Sequence, residues 1–369
     1  MNHTDCNFPI IAYEKDKSPR QWGQYHGEAF KTAIKELYEI RIELMLAKNP
    51  ALKNYITPLA NEQLEASRKF APLITEELEG IAEGAGLTTE QIVILNNYTD
   101  FRDIEMPEEG CSTVHVSLDG EVYSGQTWDM HSSAKNYVSI IKTPEAHGFP
   151  ASVIFSLVGC VGMMGVNSHK ALIGVNNINT SNARAGLIWP VLVRKCLQSK
   201  NLASMRDVLV NSPVTSGHNY IISDPTGGEH WEITPIKQEM VGAVGANENG
   251  GVFHTNHCLG KEIKKLEDQT SASSTTHARW DLLTKKVPNV KSYDDLKSLL
   301  QDHDGHPKSI CSHFESGAQD PSMTCGGGIA HLTSNDLYFW RGCPVHDSNF
   351  VEYSFKLESQ GESLDFRKI

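Results

Sequence analysis

Cys111 is the residue whose neighbours most suggest chemistry. It stands between Gly110 and Ser112, where a helical section gives way to an extended one. Because Gly110 has no β-carbon, the thiol could reach the preceding carbonyl, and the peptide between the two residues could take up strain. Cleavage of the Gly110–Cys111 bond would leave Cys111 as a new amino terminus. The alternative is a buried structural cysteine at the start of a strand.

A turn signal brings an aspartate towards this cysteine. Asp119-Gly120 is a strong hairpin signal between two extended segments. The two arms are similar in length, so Asp129 is predicted to return alongside Cys111. There its carboxylate could accept hydrogen bonds from the thiol or from the ammonium group of a new terminus. A turn aspartate that caps the second strand is the alternative.

The pattern Gly-Cys-Ser/Thr, a hairpin and then Gly-Gln-x-Trp-Asp resembles one known family. It is similar to the acyl-coenzyme A:isopenicillin N acyltransferase family of cysteine N-terminal-nucleophile hydrolases, and the similarity extends over most of the chain. The order and spacing of the matching segments are specific, although each is weak alone. These further segments are residues 79–87, 95–96, 162, 165–167, 174–177, 254–257, 310–313 and 342–344.

The resemblance implies an α+β fold, the four-layer α-β-β-α sandwich, with a helical N-terminal pro-region and one domain over residues 1–369. It also implies an inactive precursor that cuts itself into an α chain, 1–110, and a β chain, 111–369. Cys111 would be the nucleophile, Asp129 would orient the new α-amine, and Asn256 would donate a side-chain N–H to the tetrahedral oxyanion. Asn177 would be a secondary neighbour, and for it a turn role stays equally open.

Ordinary acidities agree with this chemistry. A thiol has a pKa of about 8.5 and an α-amine one of about 7.7–8.0, so the amine of Cys111 could take the thiol proton directly or through a water. The thiolate would form a thioester with an amide substrate, and water or an amine would release the acyl group. We therefore expect an autoproteolytic cysteine amidohydrolase or N-acyltransferase that acts on a small N-acyl or amino-acyl amide.

Two departures from the family pattern bear on the substrate. No arginine follows Leu95-Asn96, and the stretch from Cys311 to residue 317 lacks a Gly-x-Ser-x-Gly spacing. Penicillin-type substrates and coenzyme A are therefore not indicated, and no cofactor is expected.

Two other classes of function stay open. In a papain-like thiol hydrolase, the chain would remain whole and His254, His257 or His313 would activate Cys111. In a catalytically inactive binding module on the same fold, the chain would never cleave and no electrophile would label the thiol.

A metal site is not expected. The segment His254-x-x-His257-Cys258 lacks an obvious third ligand or a complementary pair elsewhere in the sequence. His303, His306 and His313 are possible distant partners, but they are interpreted as surface or hydrogen-bonded histidines.

Composition limits the partners. The chain has 33 Lys and Arg against 45 Asp and Glu, a net charge of −12, which gives no general affinity for nucleic acid or an anionic membrane. No apolar run approaches the roughly 20 residues of a membrane span, and no secretory signal is visible. Eight scattered cysteines without a Cys-x-x-Cys pair favour reduced thiols and the cytoplasm. The expected partners are a small-molecule amide and the two chains of one precursor; a homo-oligomer is left open.

The elements that position these residues follow from hydrophobic periodicity. Helical spacing over residues 30–45 and 59–81 predicts two helices, and Thr88 with Gln91 forms a capping-box pattern before a third. The second half predicts sheets covered by helices rather than a regular β-α-β alternation. Predicted strands are 114–116, 122–123, 138–141, 153–158, 171–175, 220–223, 230–234, 337–340 and 350–355; predicted helices are 187–198, 202–210, 278–285 and 293–300.

Overall fold

The structure is a computed structural model that describes residues 4–102, 110–268, 275–313, 321–360 and 363–369. Residues 314–317, part of the stretch without the Gly-x-Ser-x-Gly spacing, lie outside these ranges. Within the described residues, no helix combines the length and apolar character that crossing a bilayer requires.

Helices dominate the first hundred residues. The predicted helix over 59–81 is two helices, because Pro72 disfavours helical geometry at Ala71, where φ is −143° and ψ is 68°. The capping box at Thr88 and Gln91 is confirmed. The elements are β1 (Ile10–Ala12), α1 (Pro19–Ala29), α2 (Lys31–Lys48), α3 (Ile56–Phe70), α4 (Pro72–Ala85), α5 (Thr89–Asn96) and α6 (Tyr98–Arg102).

Strands dominate the rest of the chain, with helices between them. The strands are β2 (Thr113–Leu118), β3 (Glu121–His131), β4 (Val138–Thr143), β5 (Ser152–Leu157), β6 (Met164–Asn167), β7 (Leu172–Asn177), β8 (His218–Asp224), β9 (Gly227–Ile233), β10 (Gln238–Gly245), β11 (Gly250–His254), β12 (Ser322–His331), β13 (Asp336–Arg341), β14 (Val351–Gln360) and β15 (Ser363–Lys368). The helices are α7 (Trp189–Cys196), α8 (Leu202–Val210), α9 (Thr276–Lys286) and α10 (Tyr293–Leu300).

The strands form two sheets. The order is β1-β4-β5-β6-β7-β8-β9-β10 in the first and β11-β2-β3-β12-β13-β14-β15 in the second. Neighbouring strands are antiparallel except for the parallel pair β1 and β4. The strand predictions are confirmed in position, but β1, β6, β10, β11, β12, β15 and the helices α1 and α6 were not predicted.

The layers stack in the predicted order, and the four-layer α-β-β-α sandwich is confirmed. β2 and β3 of the second sheet contact β7, β8 and β9 of the first, so the sheets face each other. Helices α7 and α8 cover the first sheet, and α10 covers β3 and β12 on the far side of the second. A separate apolar cluster fills the space under α9 and α10; it includes Val114, Leu283, Leu296 and Trp340.

Candidate active site

The ends of three strands bring the predicted site residues together. The hairpin of β2 and β3 pairs Thr113 with Gln126 and turns at Asp119 and Gly120, which both have positive φ. β11 pairs His254 with Thr113, so Asn256 follows directly beside the start of β2. The cavity at this point is lined by Cys111, Asp129, Asn177 and Asn256 together. The predicted return of Asp129 alongside Cys111 is confirmed.

Hydrogen bonds hold the backbone of Cys111 from both sides. Its peptide nitrogen donates to Oδ1 of Asn256 at 2.8 Å. Its carbonyl oxygen accepts from Nδ2 of Asn176 at 2.9 Å and from Nη1 of Arg279 at 2.6 Å. Cys111 itself is buried, at 7% exposure. The position of the nucleophile candidate is therefore fixed through its main chain.

Arg279 is a buried cation at the centre of this network, and the sequence reasoning missed it. Besides the Cys111 carbonyl, it donates from Nη2 to Oδ1 of Asn256 at 2.9 Å and from Nη1 to Oγ of Ser112 at 3.2 Å. Burial lowers the pKa of Arg279 below its ordinary value, and the charges of Asp129 and Cys111 act in the opposite direction. Helix α9 thus supplies the positive charge that balances Asp129.

Asp129 lies directly against the peptide that precedes Cys111. Its Oδ1 accepts a hydrogen bond from the hydroxyl of Thr324 at 2.7 Å. A β-carbon placed on Gly110 would lie 2.7 Å from Oδ2 of Asp129 and 2.8 Å from Nη2 of Arg279. Glycine at position 110 therefore lets the carboxylate and the guanidinium approach the main chain closely.

The carboxamide orientation of Asn256 is set by its neighbours. Two N–H donors, from Cys111 and Arg279, point at one side-chain atom, so that atom is the oxygen. Nδ2 donates one N–H to the backbone carbonyl of Asn177 at 2.9 Å. The role of Asn256 as an oxyanion donor stays a prediction; Asn177 meets Asn256 through its backbone.

In the uncut chain, the cavity beside Cys111 is small and largely apolar. Its volume is about 20 Å³, which is room for one water and far below the roughly 300–1,000 Å³ of ligand pockets. The walls that sequence reasoning did not identify are Thr99, Trp128, Met130, Val175, Trp189 and His218. A substrate pocket at this point requires these walls to separate.

His254 and His257, two of the histidines considered as bases or ligands, have their described hydrogen bonds away from Cys111. His254 contacts Oε1 of Glu232 through Nε2 at 2.8 Å and the Thr255 carbonyl through Nδ1 at 2.6 Å. Nδ1 of His257 lies 3.1 Å and 3.0 Å from the hydroxyls of Thr255 and Thr276. Burial lowers the pKa of His257 to about 3. These contacts are those of hydrogen-bonded core histidines.

The fold and this site define a family. Residues 117–321 match the acyl-coenzyme A:6-aminopenicillanic acid acyl-transferase family, and the chain belongs to it. The predicted resemblance is confirmed, and the family to which the chain belongs is one of acyltransferase enzymes.

Individual proteins that are similar to this chain can be named. The chain is 26% identical over 312 residues to the acyl-coenzyme A:6-aminopenicillanic-acid-acyltransferase 40 kDa form of Emericella nidulans, covering 81% of this chain and 84% of that protein. Among solved structures, a single-residue variant of conjugated bile acid hydrolase from Clostridium perfringens has a TM-score of 0.44 and 11% identity, over 70% of this chain and 96% of that one. Penicillin V acylase from Agrobacterium tumefaciens has a TM-score of 0.38 and 11% identity, over 68% and 92%.

Proposed function

We propose that this protein is a self-cleaving cysteine amidohydrolase, with N-acyl transfer as the variant reaction. The precursor cuts between Gly110 and Cys111 into chains 1–110 and 111–369. The observation that carries the proposal is the hydrogen bond from the peptide nitrogen of Cys111 to Oδ1 of Asn256. This nitrogen becomes the α-amine after cleavage, so the base that the thiol needs is already held in a buried polar site.

Self-cleavage begins with the thiol of Cys111. Sγ adds to the carbonyl carbon of Gly110, the C–N bond breaks, and the thiol proton ends on the departing nitrogen, which gives a thioester and a free α-amine. Water then hydrolyses the thioester to the Gly110 carboxylate and the Cys111 thiol. A β-carbon on Gly110 would contact both Asp129 and Arg279, which supports a role for the Arg279 cation at the developing oxyanion and for the Asp129 carboxylate at the protonated departing nitrogen.

Turnover uses the same atoms on a substrate. The α-amine takes the thiol proton, Sγ attacks the amide carbonyl, and the amine returns a proton to the leaving nitrogen. Water releases the acyl group in hydrolysis, and an acceptor amine releases it in transfer. One N–H of Asn256 donates to Asn177; the other is the donor that we assign to the oxyanion.

The cavity walls support a small substrate with an apolar acyl group. Trp128, Met130, Val175 and Trp189 line the cavity, and such walls gain free energy by burying apolar surface. We propose hydrolysis as the main reaction, on an N-acyl or amino-acyl amide. None of the eight cysteines, all within the described ranges, is disulfide-bonded, as is usual in a reducing compartment such as the cytoplasm.

One specific observation favours the alternative of an uncut thiol hydrolase, and it concerns His218. It lines the same cavity as Cys111, and its Nε2 lies 3.4 Å from Oδ1 of Asp100. However, burial lowers the pKa of His218 to about 3. An imidazole this weakly basic is a poor proton acceptor for a thiol near neutral pH, so the α-amine is the better base.

The test is a mass measurement combined with an activity screen. Purified protein is expected to contain fragments that begin at Met1 and Cys111, and Cys111→Ala is expected to stay whole and inactive. The matched control is Cys196→Ala, which removes another buried thiol and is expected to cleave normally. Processed protein is then assayed against N-acyl amino acids, β-alanyl amines and penicillins.

Two results would contradict the proposal in different ways. A whole chain that hydrolyses amides would establish the Cys–His alternative. A whole chain that is inactive and whose Cys111 no electrophile labels would establish a binding module on this fold.

A further inference from the structure

Four metal-ligating side chains converge away from the Cys111 site. The side chains are those of His303, Cys311, His313 and Cys343, and their donor atoms all lie within 4.8 Å of one another. Cys343 Sγ is 3.2 Å from Nε2 of His303, and Cys311 Sγ is 3.5 Å from Nε2 of His313. Both cysteines are fully buried. Within the described ranges, this is the one group of three or more His, Cys, Asp or Glu residues with metal-binding geometry.

We propose that these four residues form a structural zinc site. Zinc takes thiolate sulfur at about 2.3 Å and imidazole nitrogen at about 2.0–2.1 Å in a tetrahedron, so its ligand atoms lie roughly 3.4–3.8 Å apart. Two of the observed pairs, at 3.2 Å and 3.5 Å, are already close to this spacing. Two sulfurs and two nitrogens exclude magnesium and calcium, which prefer oxygen. Four protein ligands leave no open position, so the ion would be structural.

The main chain around Cys343 supports a thiolate at this position. The backbone N–H groups of Val345 and His346 both donate to Cys343 Sγ at 3.4 Å. Such donors stabilise negative charge on a metal-bound sulfur, as outer-shell partners do in metal sites generally. The His346 ring also packs at 5.0 Å from the rings of both His303 and His313, which limits their rotation.

The proposed zinc ion would connect the segment before β12 with the segment after β13. His303, Cys311 and His313 belong to the segment between α10 and β12, whereas Cys343 follows β13. His303 and Cys343 are 40 residues apart in sequence, and the short pair Cys311-x-His313 has no second short pair to complete a recognisable zinc motif. This spacing explains why the sequence predicted no metal, an expectation from which the proposal departs.

The zinc site would also support the active site through two hydrogen bonds. Ser312, between two of the ligands, donates its backbone N–H to Oγ1 of Thr324 at 2.8 Å. Thr324 in turn donates from its hydroxyl to Oδ1 of Asp129 at 2.7 Å. The ion would therefore be a positioning group for Asp129 and not a participant in the reaction.

The test is a metal analysis of the full chain, produced without a histidine tag. We expect about one zinc per chain. Cobalt(II) exchanged into the same protein is expected to show the thiolate-to-cobalt absorption of a tetrahedral site. Cys343→Ser and His303→Ala are each expected to lose most of the bound metal. The matched control, His306→Ala, replaces an exposed histidine near His303 and is expected to keep it.

Several outcomes would overturn this site. Zinc far below one per chain in the unmodified protein, or zinc retained by both ligand variants, would exclude the assignment. Purified protein that contains no zinc and has a disulfide between Cys311 and Cys343 would show that these residues form a disulfide and not a zinc site. Because the cobalt spectrum is recorded on the unmodified sequence, misfolding of a variant cannot decide the result, and none of these readings depends on cleavage at Cys111.

Discussion

At the scale of single residues, the site around Cys111 depends on a positive charge that comes from helix α9 and not from the strands beside Cys111. Arg279 contacts the Cys111 carbonyl, Asn256 and Ser112 at once. A planar guanidinium can satisfy several acceptors in a fixed geometry, which a lysine ammonium cannot reproduce. Arg279 therefore fixes the main chain of Cys111. It also fixes the carboxamide of Asn256, which accepts a hydrogen bond from the Cys111 nitrogen.

Arg279→Lys is expected to weaken the site without removing its charge. Loss of hydrogen bonds from a buried charged donor should lower the free energy of unfolding by roughly 1.5–3 kcal/mol. Urea denaturation of the uncleavable Cys111→Ala chain, with and without Arg279→Lys, measures this. In the cleavable chain, the same substitution should slow the appearance of the Cys111 terminus.

Lys285→Met is the control for Arg279→Lys. It removes an exposed positive charge from the same helix, α9, and is expected to change neither stability nor cleavage. Equal stability of Arg279→Lys and the parent chain would show that the buried hydrogen bonds of Arg279 contribute nothing measurable.

The sequence indicated part of this site for a definite reason. Cys111 and Asp129 lie on two arms of a hairpin whose turn signal sets their register, so local pattern was enough to pair them. Asn256 came from the family resemblance. Arg279 and Thr324 reach the site from α9 and β12, across long stretches of chain, and neither has a local pattern that marks it as buried or functional.

At the scale of elements, α1 and α4 approach each other unusually closely. A β-carbon on Gly80 would lie 2.1 Å from the Arg20 carbonyl oxygen, and one on Gly23 would lie 2.1 Å from that of Glu77. Gly27 and Gly84 repeat the contact one turn further along, at 2.3 Å. Gly80 and Gly84 belong to the segment 79–87 that resembles the family's pro-region, and close packing is the physical reason for glycine there.

Gly80→Ala is expected to separate these two helices. The new methyl group has no space against a backbone carbonyl, so the helices must shift, at a cost of about 1–3 kcal/mol in the free energy of unfolding. Glu76→Ala, on the same helix, is the control and should have a much smaller effect. An unchanged urea midpoint for Gly80→Ala in the Cys111→Ala chain would contradict this close contact.

Secondary structure was predictable where periodicity or capping was strong. The hairpin at Asp119-Gly120 and the capping box of Thr88 and Gln91 carry local signals, and both are present. β12 was not predicted because Gly326, Gly327 and Gly328 interrupt any strand pattern. In the fold, a β-carbon on Gly327 would lie 2.4 Å from the Gln126 carbonyl oxygen, so β12 uses glycine to pack closely against β3.

At the scale of the whole molecule, neutral histidines are buried between the layers. Nε2 of His26 accepts a hydrogen bond from the Gly159 N–H at 2.9 Å, which a protonated ring cannot do. His115 lies between the sheets, where a β-carbon on Gly228 would be 2.3 Å from its Nδ1. Burial lowers the pKa of His26 and His218 to about 3 and that of His115 to about 4.

These three histidines predict a steep loss of stability in acid. Since an unfolded histidine has a pKa of about 6.5, the unfolded chain binds more protons below that value, and the stabilisation present above it declines as pH falls towards 3–4. Each histidine should contribute a slope that approaches about 1.4 kcal/mol per pH unit well below pH 6.5, which amounts to about 1.4 kcal/mol in total between pH 7.5 and 5.5. Urea denaturation of the Cys111→Ala chain at several pH values between about 7.5 and 5.5 measures the total.

His26→Gln should reduce that slope by one histidine's share, whereas the exposed His306→Gln should leave it unchanged. A free energy of unfolding that stays level over this range would show that these rings are protonated inside the fold, contrary to the hydrogen bond that His26 accepts from Gly159.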